Sequence, residues 1–213
     1  MKIVVISQPK ISENEHLIIQ QLFEAGLDTF HIRKPRLRTG QLIEYIEKIP
    51  AQFHNRLIIH SHHRLAKKYN LLGVHYTRLH LLPTFKNWWR EKKLGFIKRK
   101  LVRTSSHNKL ATLYDQSEIP FDYVFLSPIF DSITGKYQRG FYEDAIKAAV
   151  EKTGLKIVAR GGIDITRIEK VEELGFYGMA LYSCFWNSPD PVEEFLKVIR
   201  RCSELGIKVE EIA

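Results

Sequence analysis

Eight short apolar runs recur along this chain, each followed by an amphipathic segment, and that alternation limits the folds open to it more than any other feature. The runs fall at residues 2–7, 29–33, 56–61, 73–77, 101–105, 123–128, 156–161 and 178–183. Their near-continuous hydrophobicity fits parallel strands covered on both faces rather than strands with one wet side. The intervening segments, 13–24, 40–48, 63–69, 87–93, 108–115, 142–152, 164–173 and 192–204, are spaced as helices. In the last of them Val192, Phe195, Leu196 and Ile199 recur at i, i+3, i+4 and i+7, and the Cys202 stem extends the stripe. Asp190 and Pro191 ahead of it supply an N-cap and a proline for the first helical position. Gly154 and Gly175 stand where helices should end.

Eight such units, with no linker or low-complexity tract between them, predict a closed (β/α)8 TIM barrel of the α/β class, one domain over residues 1–213. At this length the barrel lies near the small end of its size range, so its loops must be short. An open doubly wound sheet needs fewer units, and no G-x-G-x-x-G follows any of the runs.

Composition narrows the partners. No apolar run approaches the roughly 18 residues of a membrane span, so no membrane partner is expected. The start, MKIVVISQPK, reads as a first strand rather than a signal-peptide core. Cys184 and Cys202 have no C-x-x-C partner, so spacing supports neither a disulfide framework nor a zinc site, and a cytoplasmic setting is expected. Thirty-three Lys and Arg against 24 Asp and Glu leave a formal charge of +9, which calls for an anionic partner. The densest basic stretch, residues 86–103, includes Trp88, Trp89 and Phe96 but no nucleic-acid-binding signature, and its aromatics are spaced for packing a short helix. A phosphorylated small molecule is therefore expected rather than nucleic acid. A homo-oligomer is left open.

In a barrel of this kind, chemistry belongs at the C-terminal ends of the strands. The residues falling there are unusually polar: His31 with Arg33, His60, His75, Ser105, Ser127 and Arg160 through Gly162, then Ser183. A single strand-end histidine is most often a hydrogen-bonded structural residue. Convergence of several into one mouth points to a site. Arg160, Gly161, Gly162 and Ser183 are the expected phosphate-binding set, because paired glycines let main-chain N–H groups approach an anion. Residues 131–140 form the longest connection, and its Thr134 and Lys136 are expected to reach the ligand. Ser105 and Ser127 are further substrate contacts. His31, His60 and His75 are candidate proton carriers, with ordinary pKa values near about 6.5, and Arg33 and Lys136 complete the catalytic set. No metal ligands are expected.

Several short motifs occur in a familiar order: His31-Ile32-Arg33, Gly73-Val74-His75, Ser105-Ser106-His107, Asp122-Tyr123-Val124 leading to Pro128-Ile129-Phe130, Ala159 through Ile163, and Ser183. On these residues the chain resembles, over nearly its whole length, the family of thiamine phosphate synthases and TenI-type thiazole tautomerases. The resemblance implies a TIM-barrel enzyme of thiamine biosynthesis acting on thiazole phosphate. The synthases join hydroxymethylpyrimidine diphosphate to that substrate and release pyrophosphate, with Mg²⁺ stabilising the departing charge. The carboxylates that serve Mg²⁺ in them correspond here to Ser61, beside His60, and to His80, and the strand-two lysine is shifted to Lys34. No tightly bound cofactor is therefore expected, and Mg²⁺ only as delivered with a diphosphate substrate. The alternatives implied are a thiazole tautomerase, which needs proton transfer without a metal, and a barrel that binds a phosphate ligand without turnover.

Overall fold

The computed structural model describes residues 1–96, 100–115, 117–130 and 140–210. Strands β1 (Lys2–Ile6), β2 (Thr29–Ile32), β3 (Leu57–Ile59), β4 (Gly73–Tyr76), β5 (Val102–His107), β6 (Tyr123–Leu126), β7 (Ile157–Arg160) and β8 (Gly178–Leu181) are parallel and follow one another around a closed barrel. Closure is made by β8 on β1, with Val4 opposite Ala180. The surrounding helices are α1 (Glu15–Glu24), α2 (Thr39–Glu47), α3 (Leu65–Lys68), α4 (Phe85–Gly95), α5 (Glu143–Thr153), α6 (Ile168–Glu173), α7 (Ser183–Trp186) and α8 (Pro191–Glu204). The expected (β/α)8 barrel is the fold found. Among the described residues no helix is long and apolar enough to cross a membrane.

Local departures from the expected elements have local causes. The segment expected as a helix over 108–115 is a 3-10 turn at Leu110–Leu113, because only Leu113 is buried and so little apolar face cannot hold a longer helix. The helix expected at 63–69 shrinks to α3, followed by Asn70 in a left-handed conformation at φ 52°. Asp164 opens a 3-10 turn rather than α6 itself, since its side chain accepts from the Thr166 N–H at 2.9 Å. The fifth strand runs on to His107, where it still pairs with Leu126 of β6.

Side chains alternate along each strand, so every strand feeds two cores. Outward residues such as Ile3, Val5, Ile32, Ile59 and Val74 join the helices in the larger cluster. Inward residues Val4, Ile6, Ile58, Tyr123, Phe125, Val158 and Ala180 fill the barrel. Gly73 opens β4 where the neighbouring backbone leaves no room: a Cβ there would lie 2.0 Å from the Val102 carbonyl oxygen.

One buried ion pair ties the β1 and β2 ends together. The Lys34 ammonium reaches the Glu15 carboxylate at 2.5 Å and donates to the Lys10 carbonyl at 2.8 Å. Both side chains are essentially solvent-free. The strand-end lysine that sequence places near the site is thus occupied outside the barrel, anchoring the loop after β1 to α1. Its neighbour Arg33 points the other way, toward the mouth, while the Arg33 N–H donates to the Ser7 hydroxyl at 2.8 Å.

Candidate active site

The inner faces of β2, β3 and β4 bring His31, His60 and His75 together. His31 and His75 lie within their strands and His60 immediately follows β3, so consecutive strands present their imidazoles at adjoining positions. The His31 Nδ1 shares a hydrogen bond with His60 Nε2 at 2.9 Å, and the His60 and His75 rings stack with centroids 4.0 Å apart. His31 Nε2 lies 2.5 Å from the Tyr123 hydroxyl. His75 Nδ1 contacts Thr104 Oγ1 at 2.8 Å and its Nε2 contacts Ser106 Oγ at 3.1 Å. Phe125 packs beneath His31 and His75.

Electrostatics keep this cluster uncharged. Burial is the main cause that holds all three imidazoles well below the usual histidine range, and the Arg160 charge adds to it. Burial also pushes the Tyr123 phenol up, so it keeps its proton. Among the described residues His31 is the one hydrogen-bond partner of that hydroxyl, so Tyr123 donates to His31, and the His31 Nδ1–H donates in turn to His60.

Above the histidines lie two cations. Arg33 and Arg160 are both half-buried, and among the described residues no carboxylate pairs with either. Burial, and then the Arg33 charge, lowers the Arg160 pKa. Gly161 and Gly162 follow Arg160 with φ of 93° and 67°, positive-φ backbone of the kind from which main-chain N–H groups can form an anion-binding concavity. A side chain at Gly161 would also meet Pro128 Cα at 3.0 Å and Ser127 Oγ at 3.2 Å. The β6 end is bound to this turn, since the Ile129 and Phe130 N–H groups donate to the Arg160 and Gly161 carbonyls at 3.0 and 3.2 Å. Arg160 pairs with Ala180 in the sheet, so the glycine turn and Ser183 leave adjacent strands at similar heights.

Ser61 and His80 line a neighbouring cleft of about 810 Å³ beside α4, together with Arg64, Lys67, Lys86, Arg90 and Lys93. Its lining holds no carboxylate. His80 Nδ1 accepts the Thr77 N–H at 3.2 Å. Nitrogen donors and cations in place of hard oxygen ligands do not fit Mg²⁺.

Of the expected site residues, Arg33, Ser127, Arg160, Gly161, Gly162 and Ser183 fall at the C-terminal strand ends, and His31, His60 and His75 cluster beneath them inside the barrel. Ser105 does not join them. It is buried, its hydroxyl donates to the Tyr76 carbonyl at 3.2 Å, and its neighbour Ser106 faces the mouth instead. Thr134 and Lys136 lie outside the described residues. Sequence reasoning also missed Tyr123, Thr104 and Phe125 as members of the cluster. The signal that could have found them is the two-residue alternation that puts Thr104 with Ser106, and Tyr123 with Phe125 and Ser127, on the inner face.

Fold and site thus define a (β/α)8 barrel whose mouth at the C-terminal strand ends is cationic and, among the described residues, poor in carboxylates. The sequence profile of the thiamine monophosphate synthase family matches residues 3–185, and the chain belongs to that family. It is similar to a thiamine-phosphate synthase of Prochlorococcus marinus (strain AS9601), 25% identical over 188 residues, covering 87% of this chain and 49% of that protein. It is also similar to one of Vibrio campbellii, 26% identical over 181 residues, covering 82% of this chain and 84% of that protein. The chain therefore spans about half the length of the Prochlorococcus relative. Among solved structures, a thiamine phosphate pyrophosphorylase from Bacteroides thetaiotaomicron shares the fold at a TM-score of 0.75 and 24% identity, covering 95% of this chain and 98% of that one.

Proposed function

We propose that the chain is a thiamine-biosynthesis enzyme that binds thiazole phosphate at the barrel mouth and couples it to hydroxymethylpyrimidine diphosphate. The observation that carries this is the pair of cations, Arg33 and Arg160, facing the mouth beside the glycine turn with no carboxylate paired to either among the described residues. Half-buried unpaired guanidiniums are costly in an empty protein and are accounted for by an anionic ligand. The phosphate would lie against the N–H groups of Gly161 and Gly162 and the Ser183 hydroxyl. In the coupling step the thiazole nitrogen bonds to the pyrimidine methylene carbon as that carbon's bond to the diphosphate breaks. Pyrophosphate leaves with the electron pair, and guanidinium charge stabilises it.

The carboxylate-poor mouth favours a second reading, tautomerisation of thiazole phosphate without the pyrimidine. Burial weighs against His31 as the base there, because an imidazole with a lowered pKa accepts protons weakly.

The test is incubation of the protein with thiazole phosphate, with and without the pyrimidine diphosphate and Mg²⁺, followed by mass spectrometry and NMR. Coupling predicts thiamine phosphate and an equal amount of pyrophosphate, with any Mg²⁺ requirement saturating as the metal–diphosphate complex forms. Isomerised thiazole phosphate formed without the pyrimidine would replace this proposal with the tautomerase. No change in either substrate would leave a binding protein.

A further inference from the structure

We propose that His31, His60 and His75 form a site for one divalent transition-metal ion of borderline softness, such as Zn²⁺ or Co²⁺, inside the barrel. Each contributes one ring nitrogen, and these three atoms lie within 4.8 Å of one another. Tetrahedral zinc with bonds of about 2.0–2.1 Å to nitrogen holds its ligand atoms roughly 3.3 Å apart. Small ring rotations cover the difference, and His31 Nδ1 and His60 Nε2 are already at 2.9 Å. Among the described residues no other group of His, Cys, Asp or Glu converges in this way.

The surroundings match what a metal-binding histidine requires. Such a residue usually has its second ring nitrogen held by a hydrogen-bonding group, which fixes the ring orientation. His31 has the Tyr123 hydroxyl at 2.5 Å for this purpose. His75 has Thr104 Oγ1 at 2.8 Å and Ser106 Oγ at 3.1 Å, one on each ring nitrogen, so either nitrogen can turn to the ion while the other stays held. On metal binding His31 changes tautomer, its Nε2–H donating to the Tyr123 oxygen while Nδ1 becomes the ligand.

Packing alone gives no reason for three clustered imidazoles, His60 and His75 stacked and His31 edge-on to both, since apolar residues Val4, Ile58, Phe125, Val158 and Ala180 fill the neighbouring barrel interior. Three neutral nitrogen ligands select Zn²⁺, Co²⁺ or Ni²⁺ over Mg²⁺ and leave a fourth position for water or a ligand atom. Lys2 and Arg160 act against a dication, so the affinity should fall below that of a site containing carboxylates.

The test uses tag-free protein stripped with chelator and metal salts alone. No thiazole ligand is present, so its outcome is separable from that of the coupling assay. Titration with Co²⁺, followed by visible absorption, should show one ion per chain and a low-coordinate ligand-field spectrum that Zn²⁺ displaces. Loss of an outer partner typically costs about 10–100-fold in affinity, so Thr104→Val should cost about tenfold, and removal of a ligand itself in His60→Ala or His75→Ala about 100-fold or more. His16→Ala, on α1, should change nothing. Circular dichroism establishes that each variant is folded. Absence of stoichiometric uptake by the wild type overturns the proposal whatever the variants do, and so does wild-type affinity in folded His60→Ala.

Discussion

Replacing Lys34 by methionine should destabilise the protein by about 3–5 kcal/mol, the largest stability loss expected of any single change near the mouth. The variant leaves the Glu15 carboxylate buried without its cation. Burial already pushes Glu15 up and Lys34 down, so pairing does not fully offset the cost of taking both charges out of water. It follows that Lys34→Met combined with Glu15→Met should recover most of the loss, because two apolar side chains can replace a buried ion pair at little net cost. Urea denaturation with linear extrapolation reads both effects. A single variant within about 1 kcal/mol of wild type would show that the pair does not anchor the loop after β1 to α1.

Arg160→Met should move stability and binding in opposite directions. Removing a half-buried cation that has Arg33 as a neighbour and, among the described residues, no carboxylate partner should leave the ligand-free fold as stable as wild type or more so. Affinity for thiazole phosphate should fall by about 10–150-fold, the equivalent of about 1.5–3 kcal/mol for a hydrogen bond to a charged group. Thermal melts with and without ligand test both halves. A variant that melts well below wild type while keeping full affinity would make Arg160 a structural residue.

The barrel was legible in the sequence because parallel strands buried on both faces carry near-continuous apolar runs, and eight of them leave few other folds. Residues such as Arg33, His60 and Arg160 were legible for a related reason: a polar group ending an apolar run marks the mouth. What could not be read was the face each residue takes. A strand boundary uncertain by one residue exchanges inside for outside, which is how Ser105 was chosen when the inward residue is Ser106. The register that decides it comes from the neighbouring strand, with Gly73 opposite Val102. The same parity separates Arg33 in the mouth from Lys34 in its outer ion pair. The three histidines were legible as strand-end residues but their contacts were not, because contacts between residues as far apart as His31 and Tyr123 exist only once the barrel closes.

The proposed ligand of the mouth is a phosphorylated thiazole. The most direct measurement is a calorimetric titration of the wild-type protein with thiazole phosphate and, separately, with the same thiazole as its free alcohol. Saturable binding at one site per chain is predicted for the phosphate, with the alcohol weaker by about 100-fold or more, since charge-assisted hydrogen bonds at the glycine turn and Arg160 would be lost. Equal affinity for the two compounds, or no binding of the phosphate, would contradict it.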